Sequence, residues 1–174
     1  MKVFVRVLAG LVFALTLLLC AMLLYLRHSG PVFTEGNVQL LSRDENPALW
    51  ESWMKRMDPS GEDTQEEALR VWDSENSRMI IYSVNLSNPG PIPVEWIGIT
   101  PEIRPDEMLV SADNGPLMLA SHSEGTLKAA ILSREADEKE PRSLMINGYR
   151  LGEMVTVRLL ADENGIYMKG EEQL

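Results

Sequence analysis

Between Val7 and Leu26 the chain runs for about 20 residues without a charged side chain. At a rise of about 1.5 Å per residue, a helix of that length matches a hydrocarbon layer of roughly 30 Å. Residues 7–27 are therefore read as a transmembrane signal anchor, and the rest of the chain as working on one side of a membrane. Lys2 and Arg6 precede the span, while Arg27 and His28 come after it and Arg43 is the next basic residue. This bias favours an N-terminus inside and a C-terminal domain outside the cell membrane. Cleavage by a signal peptidase is the competing reading. It is disfavoured because the apolar run exceeds a secretory h-region and Leu19-Cys20-Ala21 lacks the small-x-small pattern. Residues 1–6 form a cytoplasmic tail too short to hold a signalling or DNA-binding domain, so an inward effect requires a second protein.

The remainder is acidic. Three of the 16 basic residues (Lys2, Arg6 and Arg27) lie before or at the end of the span; the other 13 face all 26 acidic residues, leaving −13. Such a surface repels nucleic acid, so no nucleic-acid partner is expected. The single cysteine, Cys20, lies within the span. The outer part can form no disulfide and must be stabilised by its core, which about 145 residues can supply.

Ser29-Gly30-Pro31 ends the first helix, and Val32 to Leu41 is patchily apolar. Residues 28–61 are read as a juxtamembrane segment containing an amphipathic helix from Asn46 to Met57. Asn46 suits the N-cap and Pro47 the first helical position. Leu49, Trp50, Trp53, Met54 and Met57 form one apolar stripe. Trp50, Trp53, Met54 and Met57 are the candidate partner-binding residues, since Trp and Met are favoured at protein interfaces; packing on the domain itself is the alternative.

Residues 62–174 are expected to form a β-sandwich. Ile80, Tyr82, Val84 and Leu86 alternate with more polar residues, the mark of a half-buried strand over Arg78–Asn88. Asn88-Pro89-Gly90-Pro91 turns the chain. Ile92, Val94 and Trp96 then alternate, which places Trp96 in the core with Tyr82, Val84, Leu86 and Val157. Pro91 and Pro93 lack N–H groups on one strand edge, and that edge is expected to be free. Further strands are expected at Glu107–Ser111, Pro116–Ala120, Gly125–Leu132, Ser143–Asn147, Glu153–Leu160 and Gly165–Lys169. Tight turns are expected at Asp113-Asn114-Gly115, Asn147-Gly148 and Glu163-Asn164-Gly165. Six to eight antiparallel strands are expected from Arg78 onward, a mainly β chain.

The stretch Tyr82-Ser83-Val84-Asn85-Leu86-Ser87-Asn88-Pro89-Gly90-Pro91-Ile92-Pro93-Val94 resembles the strand-turn-strand of immunoglobulin-like extracytoplasmic domains in bacterial membrane-anchored and secreted proteins. The plan of short tail, anchor and small β domain is similar to that of many uncharacterised proteins of Gram-positive bacteria. The resemblance implies an antiparallel immunoglobulin-like β-sandwich and no activity.

Reaction chemistry is sparse. Ser52-Trp53-Met54-Lys55 has the spacing of serine acyl enzymes, but its partner motifs are missing. No His-Glu-x-x-His, nucleophile elbow, P-loop or dinucleotide fingerprint occurs. The acidic cluster Asp58, Glu62, Asp63, Glu66 and Glu67 lacks calcium-loop spacing. No catalytic residues and no cofactor are assigned, and the chain is read as a non-enzymatic, membrane-anchored binding or scaffold protein. The alternative is copper handling through Met108, Met118 and His122, whose soft thioethers and imidazole suit Cu(I).

Overall fold

A computed structural model describes residues 2–28, 30–56, 77–113, 117–134 and 141–168. Helix α1 spans Lys2–His28, and Phe4–Tyr25 within it is long and apolar enough to cross a membrane. None of that window is buried against the rest of the chain. A signal sequence passes the same test of length and composition.

Beyond α1 the chain forms β1 (Val32–Ser42), α2 (Pro47–Met54), β2 (Arg78–Asn88), β3 (Glu95–Pro101), β4 (Glu107–Ala112), β5 (Ser123–Ser133), β6 (Arg142–Arg150), β7 (Glu153–Asp162) and β8 (Gly165–Met168). The strands make two antiparallel four-stranded sheets, ordered β1-β2-β5-β4 and β3-β6-β7-β8. The expected mainly β fold with two packed antiparallel sheets is what the chain adopts. Seven strands run from Arg78 onward among the described residues.

The inner faces meet in one core. Ile80, Tyr82, Val84 and Leu86 of β2 and Leu127, Ala129 and Ile131 of β5 face Ile97 and Ile99 of β3, Leu144 and Ile146 of β6, and Leu159 of β7. Val157 packs at its margin. At the edge where the two sheets approach, Gly36 of β1 lies against Ile166 of β8.

A second cluster covers half of the first sheet's outer face. Met79 and Ile81 of β2, Ala130 and Leu132 of β5, Val110 and Leu41 are buried beneath Trp50, Trp53 and Met54 of α2. The Asn46 side chain caps α2 by accepting from the Leu49 N–H at 3.4 Å. The sequence of β2 records both roles. Its first half, Met79-Ile80-Ile81-Tyr82, is buried on both faces, whereas Ser83, Asn85 and Ser87 take the outer positions further on. On that polar half the Thr126 hydroxyl donates to Asn85 Oδ1 at 2.7 Å.

Several expectations are corrected. β1 is a full strand paired with β2 from Val32 to Ser42, and α2 packs on the sheet. Residues 32–54 therefore belong to the sandwich rather than to a separate juxtamembrane segment ending at 61. The strand after Pro93 starts at Glu95, and its register with β6 slips between Glu95 and Gly98. The extra residue of this bulge turns Trp96 out of the core and Ile97 in. The edge of β3 near the prolines is not free. Val94 and Leu119 exchange hydrogen bonds, the Ile97 N–H donates to the Leu117 carbonyl, and the Ile99 N–H to that of Asp113. The chain after β4 thus leaves the first sheet and flanks the second, so Leu117–Ala120 forms an isolated bridge instead of a strand. Asn147-Gly148 lies inside β6, not in a turn. A Cβ on Gly148 would stand 2.8 Å from Val94 Cγ1, so the glycine serves core packing. Met57, the strand end at Lys169 and the Asn114-Gly115 turn lie outside the described residues.

Candidate interaction surface at one end of the sandwich

The sandwich has two chemically different ends. At the distal end, away from α1, Glu107 at the start of β4 meets Arg142 at the start of β6. The Arg142 guanidinium forms a two-pronged ion pair with the Glu107 carboxylate, and the two side chains are 3% and 4% exposed. Arg142 Nη1 also donates to the Glu102 carbonyl at 2.8 Å, and the Arg104 N–H donates to Glu107 Oε2 at 2.8 Å. Burial alone pushes the Glu107 carboxyl up. The hydrogen bonds from Arg142 and Arg104, with both guanidinium charges, outweigh burial and hold it below its ordinary value. The pair ties the two sheets together and is structural: its further bonds, to the Glu102 carbonyl and from the Arg104 N–H, also go to backbone groups of the protein itself.

The proximal end is where the chain enters from α1. A Cβ built on Gly30 would stand 3.7 Å from Val155 Cγ1, so the entry point lies beside the start of β7. Asn88, fully buried, organises the loops here. Its Nδ2 donates to the carbonyls of Ile92 at 2.8 Å, Ala120 at 3.0 Å and Leu119 at 3.2 Å, while Oδ1 accepts from the Gly90 N–H at 3.1 Å. One side chain thereby joins the β2–β3 and β4–β5 connections.

Around this frame large apolar side chains face outward. Trp96 is 62% exposed, Tyr149 46%, Leu151 69% and Met154 66%. Tyr149 lies opposite Met154 across the β6–β7 pair and opposite Glu95 across the β3–β6 pair, so the group spans three neighbouring strands. Leu151 and Gly152 are a two-residue hairpin turn, with φ of 51° and 79°. Positive φ at both positions fits the twist of a tight hairpin, and Leu is a poor residue for it. Trp96 has φ of 53°, unusual for a bulky side chain, and His122 of the next loop has the same value. Among the described residues every non-glycine with positive φ lies at this end.

A groove of about 250 Å³ opens beside this surface, lined by Leu86, Ile97, Leu117, Met118, Leu119 and Leu127, with Glu124, Gly125 and Thr126 also in its wall. Its lining is mainly apolar, suited to excluding water and not to acid–base chemistry.

The residues singled out from sequence fall elsewhere. Trp50, Trp53 and Met54 come together as expected of one helical stripe, but they are buried on the first sheet, and Arg56 stacks 4.6 Å from the centre of the Trp53 ring. The free surface expected of a partner-gripping stripe is not found at these three residues; their apolar area covers Met79, Ile81 and Leu132 instead. The proposed copper ligands are not assembled. Met108 lies opposite Leu132, whereas His122 precedes Ser123, where β5 begins. Ten residues of extended strand, roughly 33 Å at about 3.3 Å per residue, separate those levels. Met118 and His122 share the proximal end, and Met108 packs against the cluster under α2. Among the described residues no three His, Cys, Asp or Glu side chains are grouped to hold a metal ion.

No protein-family model matches the chain, and no curated protein matches it. Solved structures do. The GAE domain of yeast GGA1 is 14% identical with a TM-score of 0.37, over 51% of this chain and 92% of that one. The cupredoxin domain of amoB from Nitrosocaldus yellowstonii is 10% identical with a TM-score of 0.36, over 72% of this chain and 84% of that one. Both are partial overlaps, and neither supports the Gram-positive likeness.

Proposed function

We propose that this chain is a single-pass membrane protein with its N-terminus inside, and that its β-sandwich is a non-catalytic binding or scaffold domain for another protein at the outer face. The observation that carries the reading is the pairing of a bare apolar helix with a folded domain directly after it. The Phe4–Tyr25 segment buries none of its apolar surface within the chain, and the sandwich begins at Val32, a few residues beyond its end. Leaving such side chains in water costs on the order of 1.5–3 kcal/mol each relative to burial, a cost that lipid removes.

The surface for the partner moves from α2 to the second sheet. α2 packs on the first sheet, whereas the outer positions of β6, β7 and β8 include Met145, Tyr149, Arg158 and Tyr167, all four exposed. Aromatic residues, Met and Arg are the types enriched at protein interfaces. Asn147 Oδ1 accepts from the Thr156 hydroxyl at 2.9 Å and bridges β6 and β7 in the middle of this face.

Photo-crosslinkers placed at Met145 and Thr156 in living cells test the reading, with Ser83 and Asn85 on the first sheet as controls. One defined protein adduct from the former pair and none from the controls is expected. Adducts of equal yield from both faces, or from the controls alone, would remove the second sheet as the binding face.

A further inference from the structure

We infer that the proximal rim formed by Trp96, Leu151 and Met154 rests in the interfacial layer of the membrane that α1 crosses, so that the sandwich is held against the lipid surface as well as tethered to it. The inference rests on the anchored reading above; the rim adjoins the partner-binding face, meeting it at Tyr149, which lies opposite Met154.

Chain length sets the first constraint. From Tyr25 to His28 the helix rises about 4.5 Å, and two further residues reach at most about 7 Å. Gly30 therefore lies within about 12 Å of the end of the apolar span, and Val155 packs against it, its Cγ1 3.7 Å from a Cβ built on Gly30. β1 and β7 both leave this end running in the same direction, so the Leu151-Gly152 turn precedes Val155 on the side from which the chain arrives. Three residues of strand carry that turn about 10 Å back toward the span. The polar interfacial layer is about 5–7 Å deep on each side. The hairpin tip is thus within reach of lipid for any direction of the short tether that keeps the sandwich upright.

Side-chain type is the second constraint. Trp and Tyr concentrate at membrane–water interfaces, where an apolar body and a polar tip are both satisfied. The rim offers Trp96 with Tyr149 behind it, flanked by two fully aliphatic or thioether side chains, Leu151 and Met154. The backbone is the third. Trp96 and Leu151 are presented outward by left-handed conformations that bulky residues rarely adopt, and such conformations concentrate where a contact requires them. Glu95 and Glu153 beside the rim are exposed and disfavour an anionic surface, which selects a zwitterionic one.

The full chain, carrying Cys20→Ala and Met154→Cys, is reconstituted in phosphatidylcholine vesicles and labelled with an environment-sensitive fluorophore. A second chain carries the label at Glu163→Cys on the distal turn. Lipids with nitroxide-labelled acyl chains are expected to quench the Met154 site at least 3-fold more than the Glu163 site. Adding Trp96→Ser and Leu151→Ser is expected to abolish that difference, and replacing a third of the lipid by phosphatidylglycerol to reduce it. Equal quenching at both sites, in a chain that resists alkaline carbonate extraction, overturns the docking and leaves the anchor intact. Release of the chain by carbonate overturns the anchor and the docking with it. Protection of the Met154 site that depends on protein concentration, without lipid quenching, assigns the rim to a second copy of the chain and overturns the inference.

Discussion

Gly36→Ala is the substitution whose cost can be worked most directly from the geometry. A Cβ at position 36 would stand 2.5 Å from Ile166 Cβ, 3.0 Å from Cδ1 and 3.1 Å from Cγ1. Carbon atoms pack best at about 3.5–4.0 Å, so the nearest contact is about 1 Å too short. A side-chain rotation relieves contacts with Cδ1 or Cγ1, but no rotamer moves a Cβ. The backbone of β8 must retreat from β1, opening the edge where the two sheets meet. Overpacking of this kind costs about 1–3 kcal/mol, and a contact to Cβ belongs in the upper half of that range. The lost freedom of the unfolded chain returns about 0.4–1 kcal/mol. The net expectation is a loss of about 2 kcal/mol. Urea unfolding of residues 30–174 provides the assay, since both core clusters draw no residue from α1. The midpoint should fall with an unchanged slope. Ile166→Val should not rescue the variant, because valine keeps the offending Cβ. A Gly36→Ala domain as stable as the parent, or full rescue by Ile166→Val, would refute the reasoning.

Three other perturbations have defined outcomes. Asn88→Ala should cost about 1–3 kcal/mol by stripping partners from buried backbone groups, and Asn88→Asp should cost more at pH 7, because a carboxylate would face three carbonyl oxygens. That aspartate's pKa is raised in the folded state, so its penalty is complete above the folded value and shrinks as pH falls toward the unfolded one; urea titrations at several pH values check this. The Glu107 carboxyl is held low, so its stabilisation is present above about pH 4.5 and is lost as pH falls through the folded value; Glu107→Gln should flatten this acid limb and, by removing the buried carboxylate charge that pairs with Arg142, cost about 3–5 kcal/mol at pH 7. Trp53→Ala should cost about 3–5 kcal/mol in the same assay as a buried core residue; a change below about 0.5 kcal/mol would show that α2 does not pack on the sheet.

The fold was legible where periodicity and burial coincide. β2, β5, β6 and β7 bury alternate residues against one core, and alternation in Tyr82, Val84 and Leu86 or Leu127, Ala129 and Ile131 reports that directly. It misled where the backbone departs from strict pairing. The bulge before Gly98 reversed the face of Trp96, which pattern alone assigned to the core. Asn147-Gly148 has the composition of a turn, but Gly148 answers the close approach of Val94, a long-range contact invisible in local sequence. The helical stripe of α2 was legible as a stripe, yet composition does not distinguish an apolar face that covers a sheet from one that meets a partner. The proximal surface left one trace: Leu151 in a two-residue turn that polar residues or glycine ordinarily occupy. Its assembly with Trp96 and Met154 required the register of three strands.

Whether the sandwich stands outside a membrane that α1 crosses is tested most directly by compartment-specific labelling of the full chain. Glu163→Cys in a Cys20→Ala background places one thiol on the exposed distal turn. A membrane-impermeant maleimide is expected to label it to the same extent in intact cells as after lysis, on a chain that retains α1 by mass. Labelling only after lysis, or labelling of a shortened chain that has lost the Phe4–Tyr25 segment, would contradict the anchored, outward-facing arrangement.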